Sequence, residues 1–220
     1  VAVRERASDN RDHLGCGAIA HRLDALGIHY VEGGFPGSNE KDKAFFDRMR
    51  ERPLQSAQLV AFGGARKPGA DVSQDFNMEA LIEAQTPVVT LVGKASTYQV
   101  RVALETTNEE NLAMVSDSVE FMVERGKETH FDAEHFFDGY AEDPDYALQV
   151  LRTAHRAGAE FLVLCDTNGG SMPDGVTAAI KVVRQELPEA KLGIHCHNDC
   201  DLAVANSLAA VQAGAMQVQG

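Results

Sequence analysis

Gly193-Ile194-His195-Cys196-His197-Asn198-Asp199 is the stretch from which the rest of the chain is best read. It has the form of a short strand that ends in His-x-His. Side chains alternate across a strand, so residues two apart share a face. His195 and His197 therefore present two imidazoles side by side, as two ligands of one metal ion require, and Cys196 turns to the other face. Asn198-Asp199 breaks the strand, which puts the histidines at its C-terminal end. The plain alternative is two ordinary histidines near a strand end, one of them solvated.

Working outward, strands and helices alternate along the chain. Ile28–Glu32, Gln58–Phe62, Pro87–Val92, Thr129–Ala133, Phe161–Cys165, the His-x-His stretch and Met216–Gln219 read as strands. Helices fall between them: from Cys16 to Gly27, from Asn39 as N-cap to about Arg52, over 74–85, from Asn108 to Arg125, from Pro144 to Ala157, from Pro173 to about Leu187, and over 201–213. Gly93 to Thr107 reads as a partly polar connection. No hairpin signal interrupts the alternation, and buried apolar strands with short loops point to one parallel sheet. Gly33-Gly34-x-x-Gly37 lacks the dinucleotide-binding fingerprint of a doubly wound sheet. The fold expected is therefore α/β, a (β/α)8 TIM barrel, with residues 1–220 as a single catalytic domain. Residues 1–16 are atypical: Val1-Ala2-Val3 is short, Arg4 to Asp12 is nearly all polar, and no first strand is recognisable. A barrel missing that strand leaves apolar edges open to aggregation or partner pairing.

Composition bounds the function. The formal net charge of −13 argues against nucleic acid or an anionic membrane surface as main partner. No apolar run approaches the roughly 20 residues of a membrane span, and Val1 to Asn10 has no signal-peptide core. Cys16, Cys165, Cys196 and Cys200 form no CxxC pair or regular framework, which reads as a reducing, cytoplasmic setting. Cys196 and Cys200 are weaker candidates as metal ligands beside the histidines.

In a parallel barrel the chemistry sits at the C-terminal ends of the strands. Here those ends carry Glu32, Glu134-His135, Asp166-Thr167-Asn168 and His195-x-His197. Each has a dull explanation alone, such as a salt bridge for Glu32 or a turn cap for Asp166. Four such ends together favour a shared, metal-centred site. Two imidazoles with carboxylate or carbonyl oxygens suit a divalent ion with open positions, which polarises a carbonyl and orients an acid group. His135 follows a strand end and reads as a packed or loop histidine before it reads as a site residue.

Glu32-Gly33-Gly34-Phe35-Pro36-Gly37-Ser38-Asn39, Asp132-Ala133-Glu134-His135-Phe136-Phe137-Asp138-Gly139-Tyr140, Leu164-Cys165-Asp166-Thr167-Asn168-Gly169-Gly170 and His195-Cys196-His197-Asn198-Asp199 together resemble the isopropylmalate/citramalate/homocitrate synthase family over about residues 17–220. The double glycine after Glu32 and the Glu-His-Phe-Phe-Asp-Gly run are most similar to its citramalate-synthase branch. The resemblance implies a TIM barrel that condenses the acetyl group of acetyl-CoA with an α-keto acid, using a divalent metal (Mg, Mn or Zn), in branched-chain amino-acid biosynthesis. It makes His195 and His197 metal ligands and Glu134 the active-site glutamate. Thr167 becomes the residue that binds the keto acid's carboxylate, with Glu32 counted as substrate-binding beside it. It also implies a homodimer when the chain is complete.

The family's first strand ends in Arg-Asp-Gly, whose Asp is a metal ligand and whose Arg stabilises the oxyanion. Arg11-Asp12 lacks a preceding apolar strand and reads as a coincidence, and the family's downstream Asn-Gly lies beyond Gly220. Three readings besides the synthase remain: a related aldol-type lyase on the same barrel, a non-catalytic truncated remnant, and a His-x-His hydrolase. The hydrolase fits less well, because such barrels place the pair on the first strand.

Overall fold

The computed structural model of the protein describes residues 2–4 and 13–220. Arg11-Asp12 lies outside the described residues. The elements follow in the order β1 (Ala2–Arg4), α1 (His13–Ala25), β2 (Tyr30–Glu32), α2 (Glu40–Glu51), β3 (Gln58–Gly64), a 3-10 turn (Val72–Gln74), α3 (Phe76–Glu83), β4 (Val88–Lys94), α4 (Thr97–Ala103), α5 (Asn108–Glu124), β5 (Glu128–Glu134), α6 (Phe136–Glu142), α7 (Pro144–Arg156), β6 (Phe161–Asp166), α8 (Pro173–Glu186), β7 (Lys191–Cys196), α9 (Ala203–Ala213) and β8 (Gln217–Gln219). All strand pairs are parallel, and the sheet closes on itself in the order β1 to β8.

The α/β barrel expected from the alternation is thus the observed fold. The unrecognised first strand is three residues long. Ala2, Val3 and Arg4 stand in register with Tyr30, Val31 and Glu32, and Ala2 also with Gln219. That single register pair joins the two ends of the sheet, so the edges expected to be open face each other. β1 ends at Arg4, too short to show an apolar run. Further differences lie in the connections, among them α6 between β5 and α7. β4 runs on to Lys94, two residues past the expected end, and the connection after it contains α4.

Local chemistry sets the helix starts. The Asn39 side chain accepts from the backbone N–H groups of Lys41 and Asp42. Asp143 accepts from the N–H of Tyr146, with Pro144 and Pro173 in the first turns of α7 and α8, where no N–H is missed. Between sheet and helices lies the apolar core, with Leu91, Phe131, Leu162, Leu164 and Ile194 fully buried. Each such side chain contributes roughly 1.5–3 kcal/mol on burial.

Part of the inner face of the barrel is polar. Strands that are not neighbours can touch only through the interior, and hydrogen bonds of this kind are made among the described residues. Tyr30 on β2 donates to Glu128 on β5 at 2.6 Å, Gln217 on β8 meets His130 on β5 at 3.3 Å, and Gln219 on β8 donates to Asp132 on β5 at 3.0 Å. Period-two alternation then fixes Glu32, Lys94, Glu134 and His195 as inward residues at the C-terminal end.

One close approach fixes the β4–α6 seam. A Cβ on Gly139 would fall 2.2 Å from the carbonyl oxygen of Ala95 and 2.8 Å from Cα of Ser96, both backbone atoms that cannot yield cheaply. Gly139→Ala is expected to lower the unfolding free energy by about 1–3 kcal/mol, the usual range for overpacking. Urea denaturation measures this, and an unchanged midpoint would show that the seam is looser than described.

Candidate active site

β7 ends at Cys196, so His195 is its last inward residue and His197 stands just beyond it. The two rings lie 5.3 Å apart, centroid to centroid, tilted by 58°. His195 is half-buried and its Nδ1 is 3.1 Å from Oε1 of Gln219. His197 is exposed, and its backbone N–H donates to the carbonyl of Asp166 at 3.1 Å, which ties the histidine loop to the end of β6. Gly169 makes this contact possible, with φ +60° and a Cβ position only 2.8 Å from the backbone N of Asp199.

Cys196 turns away from the histidines, as strand alternation requires. It packs against the apolar core outside the barrel. Burial pushes its thiol up to about 11 and the Asp166 carboxylate adds to this, while a hydrogen bond with Ser207 offsets part. Such a thiol is a poor source of the thiolate that a metal would need.

Glu134 is half-buried at the end of β5 and forms an ion pair with Lys94, its register partner on β4. Lys94 is the residue that sequence reading missed. A strand ending at Val92 left it in a loop, whereas two more residues of alternation bring it inward beside Glu134. Glu32 is buried at the end of β2, in register with Val60 and Arg4.

The β5 and β6 loops are bound to each other. Thr167 Oγ1 accepts from the backbone N–H of His135 at 2.8 Å, and Asn168 donates to Asp138 at 2.8 Å. His135 sits in the left-handed region at φ 58°, and its ring Nδ1 lies 3.3 Å from the same Asp138 carboxylate. It is a loop histidine. Asp166 also leaves the group of site candidates. Its carboxylate accepts from the Ser171 hydroxyl at 2.9 Å and faces Asn206 of α9, so it braces the loop from outside the barrel.

Deeper inside, the polar column continues. His130 is buried, which lowers its pKa, although the Glu128 carboxylate 2.9 Å away opposes this. Burial acts to raise Glu128, but hydrogen bonds from Tyr30 and His130 outweigh it and hold the carboxyl below its ordinary value.

Among the described residues no group of three His, Cys, Asp or Glu side chains stands close enough to hold a metal ion. Two imidazoles alone fall short of such a group. Their donor chemistry fits such an ion, with oxygen ligands from elsewhere completing it.

Residues 16–220 match the HMGL-like family. The chain belongs to the HMGL-like family. It is 51% identical over 202 residues to an (R)-citramalate synthase of Aquifex aeolicus, an alignment covering 92% of this chain and 38% of the relative. A probable 2-isopropylmalate synthase of Methanosarcina mazei is 32% identical over 201 residues, covering 91% of this chain and 36% of the relative. The chain thus spans well under half the length of these curated relatives. Among solved structures, a hydroxymethylglutaryl-CoA lyase from Pseudomonas aeruginosa superposes with a TM-score of 0.80 at 20% identity, covering 100% of this chain and 74% of that one. This likeness concerns the barrel alone. The HMGL-like assignment agrees with the resemblance carried by the four motifs, and the higher identity lies on the citramalate-synthase branch.

The opposite orientations of Cys196 and His195 are open to a direct check. Cys196→Ala is expected to leave Mn2+ affinity within about twofold, and His195→Ala to lower it by more than about tenfold. Isothermal titration reads both, and equal losses would show that the strand register is misplaced.

Proposed function

We propose that this barrel condenses acetyl-CoA with pyruvate to form citramalate. The observation that carries this reading is the His195–His197 pair at the C-terminal end of a closed parallel barrel that also carries Glu134 and Thr167. The 51% identity to a citramalate synthase, against 32% to a 2-isopropylmalate synthase, favours pyruvate over the larger 2-oxoisovalerate. It also favours condensation over the aldol-type cleavage.

In this reading His195 and His197 hold a divalent ion, Mg, Mn or Zn. When bound, the ion supplies positive charge beside the keto acid's ketone oxygen. Thr167 offers its hydroxyl to the keto acid's carboxylate while its oxygen accepts from His135. Glu134 orients acetyl-CoA or the water that cleaves the thioester, and its ion pair with Lys94 holds that carboxylate in place. A methyl proton of acetyl-CoA is removed and the carbon attacks the ketone, forming one C–C bond. The ketone oxygen takes up a proton, and water then cleaves the thioester to release CoA as a free thiol.

Thiol release from acetyl-CoA, with Mn2+ or Mg2+ and a panel of pyruvate, 2-oxoisovalerate and 2-oxoglutarate, tests the reading. Release is expected with pyruvate and is expected to fall by about a hundredfold or more in His195→Ala and His197→Ala, the scale of losing electrostatic stabilisation of an oxyanion. Release with another keto acid would reassign the substrate. Activity unchanged in both variants would remove the metal assignment.

A further inference from the structure

We propose that Gln219 is a positioning residue that fixes His195 as the Nδ1–H tautomer, through a directional relay from Asp132 across the barrel. Its usefulness to catalysis rests on the reading of His195 as a metal ligand. The hydrogen-bond chemistry does not.

The direction follows from what each group can do. An ionised carboxylate only accepts hydrogen bonds, whereas a primary amide has one donating and one accepting end. Gln219 touches Asp132 Oδ1 at 3.0 Å with its nitrogen and His195 Nδ1 at 3.1 Å with its oxygen. The opposite orientation would set a carbonyl oxygen against a carboxylate. Asp132 therefore chooses the orientation of the amide. With the carbonyl facing His195, Nδ1 must carry the hydrogen, and the lone pair of the neutral ring is on Nε2. A ligand histidine takes its metal through the nitrogen that lacks the hydrogen, and a partner accepting from the other nitrogen raises its basicity.

The relay is rigidly held. Asp132 and Gln219 are buried and belong to non-neighbouring strands of the barrel, β5 and β8, and His195 and Gln219 are register partners on β7 and β8. Packing alone would need an amide of this size at position 219. It would not need the amide to point one way. The neutral ring of a solvated histidine side chain prefers hydrogen on Nε2, the form that blocks this ligand atom, so the relay works against the intrinsic preference.

The test is long-range 1H–15N NMR of the metal-free protein labelled with 15N-histidine, with His195 assigned by its loss in His195→Gln. His195 is expected with a protonated Nδ1 and a lone pair on Nε2. Two substitutions change the relay with little change in volume. Gln219→Met removes both hydrogen bonds, and Asp132→Asn lets the Gln219 amide turn over. Both are expected to move His195 towards the Nε2–H form and to weaken Mn2+ binding, read by titration of the free-ion EPR signal, by about ten- to a hundredfold. An Nε2–H form in the parent protein overturns the proposal, even if neither variant folds. So does an Nδ1–H form that persists in both variants. A tautomer that responds as stated in a protein that binds no Mn2+ supports the relay and removes the metal reading instead.

Discussion

A closed ring of eight parallel strands leaves its inward side chains no partner except one another, and this constraint governs the molecule. Every second residue of every strand must find company inside a space that all the strands share. Most barrels fill that space with branched apolar side chains. Here Tyr30, Glu128, His130, Asp132, Gln217 and Gln219 occupy part of it and are tied into hydrogen bonds. Buried polar groups of this kind are costly unless they are paired. Their pairing fixes the relative positions of β2, β5 and β8, and with them the platform on which Glu134 and His195 stand.

Much of this is legible from the sequence, and the reason is periodicity. His195 and His197 share a face because residues two apart always do, and Cys196 is excluded by the same rule. Asn39, Pro144 and Pro173 mark helix starts through local chemistry that needs no tertiary context. The four motifs at the strand ends carry the family resemblance because each holds residues whose placement matters more than their hydrophobicity.

What the sequence hides has equally specific causes. Ala2–Arg4 is too short for an apolar pattern, and its strand character comes from two neighbours far away in the chain. Lys94 lies at the frayed end of a strand, where alternation outlasts the apolar run. Asp166 is misplaced for a different reason. Phe161–Cys165 is apolar on both faces, so nothing in it tells which face the next residue takes. Only the pairing of Cys165 with His195 shows that Asp166 points outward. Glu134 escapes the ambiguity because Glu128, His130 and Asp132 are polar on its own face.

The two glutamines of β8 show how far chemistry can dictate orientation inside such a barrel. Gln217 and Gln219 share a face two residues apart, and each meets a histidine. Glu128 can only accept, so His130 donates through Nε2 and its Nδ1 becomes the acceptor. Gln217 must then offer its amide nitrogen, which leaves its buried Oε1 without a hydrogen-bond partner. An orphaned buried acceptor costs on the order of 1–3 kcal/mol. Turning the amide over would set its oxygen against the lone pair of His130 and merely move the orphan elsewhere. Gln219 escapes this cost because the ring of His195 can still choose its tautomer, whereas that of His130 has been chosen already by Glu128. The lower layer of the barrel therefore spends its hydrogen-bonding freedom on joining strands, and the upper layer leaves that freedom to the ring of His195.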